Sequence, residues 1–176
     1  MIIDINSKKI KSDKRLSNLF VNANFSNLSI NCNILKGNFF SDSFYYFPIT
    51  ESNETFSSLF NRDLNNISHF YSKKYFNNFK DNKNSFKNFK ELYILGSNAG
   101  NNYYSNLIQF LPRIFFNKKT NLKLAIHRNS SNKYRNFIGS ILKSLNIKFT
   151  FVFLDDDFYR FIDSDFPQFL NINDSI

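Results

Sequence analysis

The sequence predicts an α/β fold built on a parallel β-α-β-α-β unit over residues 91–155, and three observations predict it. Short apolar runs recur at 92–95, 122–126 and 149–154; stretches with apolar residues three and four apart separate them; a polar loop follows each run. Strands apolar on both faces belong to parallel sheets covered on both sides, and the helices between them supply the crossovers such sheets need.

Residues 1–90 read as strands and a helix packed on the same domain. Leu28-Ser-Ile30-Asn-Cys32-Asn-Ile34 alternates, Phe44-Tyr-Tyr-Phe47 follows, and Gly37 and Pro48 punctuate them, the pattern of short antiparallel strands. Phe56, Phe60, Leu64, Ile67 and Phe70 repeat at three and four and predict an amphipathic helix over 55–71. Residues 73–90, rich in Lys, Asn and Phe, read either as a second surface helix or as an irregular connection.

In the second half Leu92 to Leu95 predicts a buried strand and Gly96 to Asn102 a loop. Tyr104, Leu107, Ile108 and Leu111 predict a helix that Pro112 kinks or ends. Leu122, Leu124 and Ile126 predict the next strand, and 129–132 a loop with a helix N-cap. Tyr134, Phe137, Ile138, Ile141, Leu142 and Leu145 form a helical stripe, and Phe149 to Leu154 a third strand. Residues 156–176 read as a tail or linker.

At 176 residues the chain has the length of one domain. Its one cysteine, Cys32, excludes an internal disulfide framework and a Cys-based zinc cluster. The start lacks a continuous apolar core and small-residue cleavage site, which predicts a cytoplasmic chain. No apolar run approaches the length of a membrane span. The 24 Phe and 9 Tyr are spread evenly and read as compositional bias rather than as a site.

A net charge of +9 favours polyanionic partners, whether nucleic acid or, by peripheral contact, an anionic membrane surface. The basic residues are scattered as pairs such as Lys8-Lys9, Lys73-Lys74 and Lys118-Lys119, with no basic helix, Cys/His finger or RNP-type pattern. Binding of nucleic acid or another polyanion without catalysis is therefore the alternative reading, not the first.

Ligands of open α/β sheets bind beyond the carboxyl ends of the strands, which here are Gly96 to Asn102, His127 to Asn132 and Asp155 to Asp157. The first loop holds two of the four glycines and leads into a helix, a geometry that suits close approach of a ligand or simply a tight turn with positive φ. It has neither a G-x-G-x-x-G pattern nor a P-loop lysine. His127 with Arg128 and Arg135 offers an imidazole between cations, a general-base candidate or a hydrogen-bonded loop histidine. The other histidine, His69, falls on the helix predicted over 55–71 rather than at a strand end. Asp155 and Asp157 form Asp-x-Asp, the weaker candidate for a divalent cation in a metal-dependent sugar-nucleotide transferase. No G-x-S-x-G elbow is present.

The stretch from Leu92 to Phe116, with Tyr103-Tyr104-Ser105 and Leu111-Pro112-Arg113, resembles the N-terminal domain of family 61 glycosyltransferases related to capsular-polysaccharide synthesis. The following strand, helix and strand to Leu154 occur in the family's order. The family carries His where Ser105 stands. The resemblance implies a Rossmann-like domain, the acceptor-side half of a GT-B-type architecture, with a second, donor-binding domain absent before Ile176. It implies inverting transfer from a nucleotide sugar to a glycan in surface-polysaccharide synthesis, with no cofactor required and no obligatory metal. His127 is then the base candidate, Asn98, Asn102, Tyr104, Ser105 and Arg128 contact substrate, and Arg113 orients the kinked helix.

Overall fold

The structure, a computed structural model, describes residues 2–9, 29–42, 48–53, 79–96, 102 and 105–168. Strands β1 (Ile2–Lys9), β2 (Ser29–Asp42) and β3 (Pro48–Thr50) come first, then β4 (Lys87–Lys90) and β5 (Leu92–Ile94). A π-helical turn (Ser105–Phe110) runs straight into a 3-10 helix (Leu111–Phe116). Strand β6 (Asn121–His127), helix α1 (Asn132–Ser144), β7 (Lys148–Leu154) and β8 (Phe158–Pro167) complete the order.

The fold is α/β, with one mixed sheet of eight strands and few helices, in the order β1-β2-β8-β5-β6-β7, with β3 also on β2 and β4 also on β8. The first three strands pair antiparallel, and the alternation at 28–34 falls in β2, which is 14 residues long rather than short and runs through Gly37, while Pro48 opens β3 rather than bounding a strand. The expected helix over 55–71 and the strand at Phe44 to Phe47 lie outside the described residues. Of 73–90, residues 79–82 are helical and β4 is a strand.

Strands β5, β6 and β7 are mutually parallel with the helical segments between them. Pro112 marks the change from π to 3-10 geometry, since it stands in the first turn of the 3-10 helix, where its missing N–H leaves no bond broken. Ser131 caps α1 by accepting the Tyr134 N–H at 3.2 Å.

The reading of 156–176 as a tail or linker fails over its first part. Residues 158–167 form β8, inserted between β2 and β5 and therefore central. Two of its buried polar residues are satisfied there: Ser164 Oγ accepts the Leu92 N–H at 3.0 Å and donates to Ile162 O, and Asp165 pairs with Lys119 Nζ at 2.9 Å.

Register shows that this sheet is folded over. Leu154 ends β7 level with His127, and Ile94 pairs Ala125, so Leu154 is level with residue 96; Phe158 starts β8 one position before the Tyr159 to Lys87 pair. A straight sheet would separate the two points by about ten residues, about 33 Å. Four peptide steps reach at most about 14 Å. The bend responsible crosses three neighbouring strands at one line. Gly37 (φ 113) precedes a register shift in β2, Asp163 (φ 47) breaks β8, and Glu91 (φ 58) separates β4 from β5. The Glu91 N–H donates to Ile162 O at 2.9 Å and the Asp163 N–H to Asn38 Oδ1 at 3.1 Å, tying the three bends together.

The bend gives the sheet its second cover. On one face Tyr93, Leu95, Leu122, Leu124 and Ile126 pack under Ile114, Tyr134, Ile138 and Leu142 of the helices. On the other, Leu92, Ile94 and Ala125 meet Phe39, Tyr159, Phe161 and Phe166, largely from the folded-over arm. Both faces of β5 are thus buried, as its unbroken apolar run predicts, but sheet rather than helix covers the second. At about 1.5–3 kcal/mol for each large apolar side chain buried, these two layers dominate stability. Arg113 is fully buried between them. It donates to Leu95 O at 3.0 Å and to Pro167 O, lies over the Phe166 ring at 5.2 Å, and its own carbonyl accepts from the Tyr93 hydroxyl. The arginine of Leu-Pro-Arg therefore locks the 3-10 helix to the ends of β5 and β8.

Candidate functional site at the carboxyl ends of β6 and β7

Parallel pairing brings the ends of β6 and β7 out together, because His127 is opposite Leu154 and the ladder continues with the Arg128 N–H donating to Leu154 O at 2.9 Å. The residues that follow each strand must then meet. His127 is 2% exposed, and its Nε2 lies 3.0 Å from Oδ1 of Asp156, whose side chain is 56% exposed. Its Nδ1 accepts the Asn129 N–H at 3.1 Å, in a turn closed by the Ser130 N–H on His127 O at 3.0 Å. A backbone N–H can only donate, so Nδ1 holds the lone pair and Nε2 holds the proton. The imidazole donates that proton to Asp156 and has no free lone pair in this arrangement. One oxygen of Asp156 is fixed in this way, while its carboxylate is open to solvent.

Beside this pair, Arg128 forks onto Asp155, with Nη2 at 3.1 Å from Oδ2 and Nε on Oδ1. That hydrogen bond holds the Asp155 carboxyl below the usual carboxylate range and the Arg128 guanidinium above its own. Arg135 donates to Arg128 O at 2.8 Å and lies 4.3 Å from the Phe153 ring centre, which anchors the first turn of α1 to the end of β7. The Tyr159 hydroxyl accepts the Asp155 N–H at 3.0 Å, and burial pushes its pKa up. Lys87, paired with Tyr159 across the β4–β8 ladder, also draws the Asp155 carboxyl down, so Arg128, Arg135 and Lys87 balance the three carboxylates of the turn.

The structure thus brings together His127, Arg128, Asp155 and Asp156. Asn102 is exposed beside the π-helical turn, its carbonyl accepting the Asn106 N–H at 3.0 Å, and Ser105 opens that turn. Asn98 and Tyr104 lie outside the described residues. Gly96 has no positive φ, and a Cβ there would meet Phe110 at an ordinary 3.7 Å, so this glycine answers no backbone demand. Among the described residues no group of three His, Cys, Asp or Glu side chains converges as metal ligands. Both Asp155 oxygens are occupied by Arg128, and Asp157 Oδ1 accepts the Phe158 N–H at 2.7 Å. A cation at Asp-x-Asp would have to displace that fork. The residue that sequence reasoning missed is Asp156. Its signal was the parallel register, which makes the second residue after β7 a neighbour of the last residue of β6.

A cavity of about 240 Å³ opens elsewhere, lined by Phe40, Glu51, Lys83, Asn84, Asn88 and Arg160 around the folded-over arm. No helix among the described residues is long and apolar enough to cross a membrane. Compared with protein-family models, with curated proteins and with solved structures, the chain finds no match in any of the three.

Proposed function

We propose that this chain is the acceptor-side domain of an inverting, family 61-like glycosyltransferase, a Rossmann-like β-α-β-α-β half of a GT-B-type enzyme that binds a glycan hydroxyl at the ends of β6 and β7. The observation that supports the reading is a carboxylate, Asp156, held at the strand ends by the buried His127 yet open to solvent. Charges that balance within the cluster leave no strong pull on a diphosphate or a nucleic-acid backbone, and carboxylates, amides and guanidiniums hydrogen-bond the neutral hydroxyls of a glycan. Inverting transfer needs one base to take the acceptor proton as the anomeric carbon is attacked. In this reading Asp156 takes that proton, and His127, the residue the sequence puts forward as the base, serves as a positioning group; the contact of its Nε2–H with Asp156 supports this. For His127 itself to act as the base, the Asn129 N–H would have to leave Nδ1. The nucleotide-sugar donor and any second domain belong to the resemblance rather than to this site.

A labelled sample of the chain on an array of neutral and acidic oligosaccharides, read at low and at physiological salt, tests the reading. Saturable binding to a glycan class, unchanged by salt and weakened at least tenfold in Asp156→Ala, is the expected result, about 1.4 kcal/mol. Absence of glycan binding together with nucleic-acid binding that falls steeply with salt would replace it with the polyanion reading.

A further inference from the structure

Among the described residues β7 has one neighbour, β6, so its outer edge ends the sheet. The hydrogen-bond parity of that edge follows from two contacts. The Lys148 N–H donates to Thr120 O, and Leu154 O accepts the Arg128 N–H, both at 2.9 Å, so residues 148, 150, 152 and 154 spend their backbone groups toward β6. Residues 149, 151 and 153 direct theirs outward. Each of these three is a phenylalanine, half-buried, with neighbouring ring centres 5.1 and 6.3 Å apart. The strand Lys-Phe-Thr-Phe-Val-Phe-Leu has no proline and no bulge, and its one charge stands at its start. Edges of this kind pair with another strand unless something blocks them.

We propose that the occupant is the β7 of a second copy, paired antiparallel about a two-fold axis through Phe151. Only outward-facing residues can exchange bonds across the seam, and a centre at Phe151 matches them all: Phe151 with Phe151, Phe149 with Phe153 and Phe153 with Phe149. The aromatic side chains then form one cross-strand ladder on the α1 side, while Thr150 opposes Val152 on the other side, both favourable kinds of pair. Charge selects the direction. Antiparallel pairing sets Lys148 of each copy beside the acidic turn 155–157 of the other, whereas parallel pairing would set carboxylates against carboxylates. A two-fold contact closes, so the product is a dimer rather than a filament. The proposal stands on the β7 edge and not on the glycan reading, although the pairing brings Lys148 of the second copy to the border of that site.

The register makes the test specific. In Phe151→Cys the two new thiols face each other across a hydrogen-bonded pair with Cα atoms about 5.5 Å apart, within disulfide reach. In Phe149→Cys they are four residues apart, about 13 Å. Sedimentation equilibrium of the unaltered chain should show a dimer. Mild oxidation should give a covalent dimer in the first variant, mapped by peptide mass to 151 so that Cys32 is distinguished, and none in the second. Lys148→Glu, exposed and far from the core, should weaken the dimer about tenfold. Amide exchange at 149, 151 and 153 in the unaltered chain should slow with protein concentration, a readout that survives if a variant misfolds. A monomer whose three amides exchange freely overturns the proposal and leaves the edge to a strand from another protein. A dimer that does not link through 151 overturns it in favour of another surface.

Discussion

Tyr134 shows how one buried atom sets a stability profile. Its ring lies in the layer beneath α1, and among the described residues its hydroxyl has no hydrogen-bond partner. Burial pushes its pKa up, with Arg113 opposing, so the folded state disfavours the phenolate. A group whose folded pKa is raised contributes stability that is complete below the unfolded value, about 10 for tyrosine, and is lost as pH rises from there toward the folded value. Tyr134→Phe removes an unsatisfied hydroxyl without changing the ring. It should leave stability at neutral pH unchanged or raise it by about 1 kcal/mol. It should also flatten the decline expected of the parent above about pH 10. Urea unfolding between neutral and strongly alkaline pH measures both, and a loss of more than about 1 kcal/mol at neutral pH would mean that the hydroxyl has a partner.

At the scale of elements the sheet's bend depends on backbone rather than on side chains. Gly37 has φ 113, and a Cβ there would meet nothing within 4 Å, so strain and crowding are separable at this one position. Gly37→Ala should cost about 1–2 kcal/mol in thermal or urea unfolding from left-handed strain alone. A neutral outcome would show that β2 can pass the corner with ordinary dihedrals. The same bend explains what could be read in the sequence and what could not. Periodicity exposed β5, β6, β7 and α1, because apolar runs and three-four spacing report burial directly. It did not expose β8. Phe158 to Pro167 carries Arg160, Asp163, Ser164 and Asp165, a mixture that resembles a solvated tail. Those residues are tolerated in the centre because the bend turns the strand and because Leu92, Ile162 and Lys119 satisfy the two buried polar ones. At the site, rarity singled out His127, but only the parallel register identifies Asp156 as its partner.

For the whole molecule, the place of β8 decides whether the last residues are an appendage or part of the folding unit. β8 lies between β2 and β5, and no other described strand joins the antiparallel part to the parallel part. Along β2 it pairs from Ile34 to Asp42, along β4 from Lys87 to Lys90, and its Tyr159, Phe161 and Phe166 fill one of the two apolar layers. Arg113 also loses its Pro167 acceptor if the strand is removed. Ending the chain at Asp157 therefore splits the sheet, exposes two long unpaired edges and empties much of one layer. The loss is several large side chains at about 1.5–3 kcal/mol each, set against a typical total of about 5–15 kcal/mol. The truncated chain should show no cooperative unfolding transition by circular dichroism and poor amide dispersion by NMR, whereas the full chain should unfold cooperatively and give well-dispersed amides. A truncated chain that unfolds cooperatively near the parent temperature would return residues 158–167 to the role of a tail and leave the parallel unit as a domain able to fold alone.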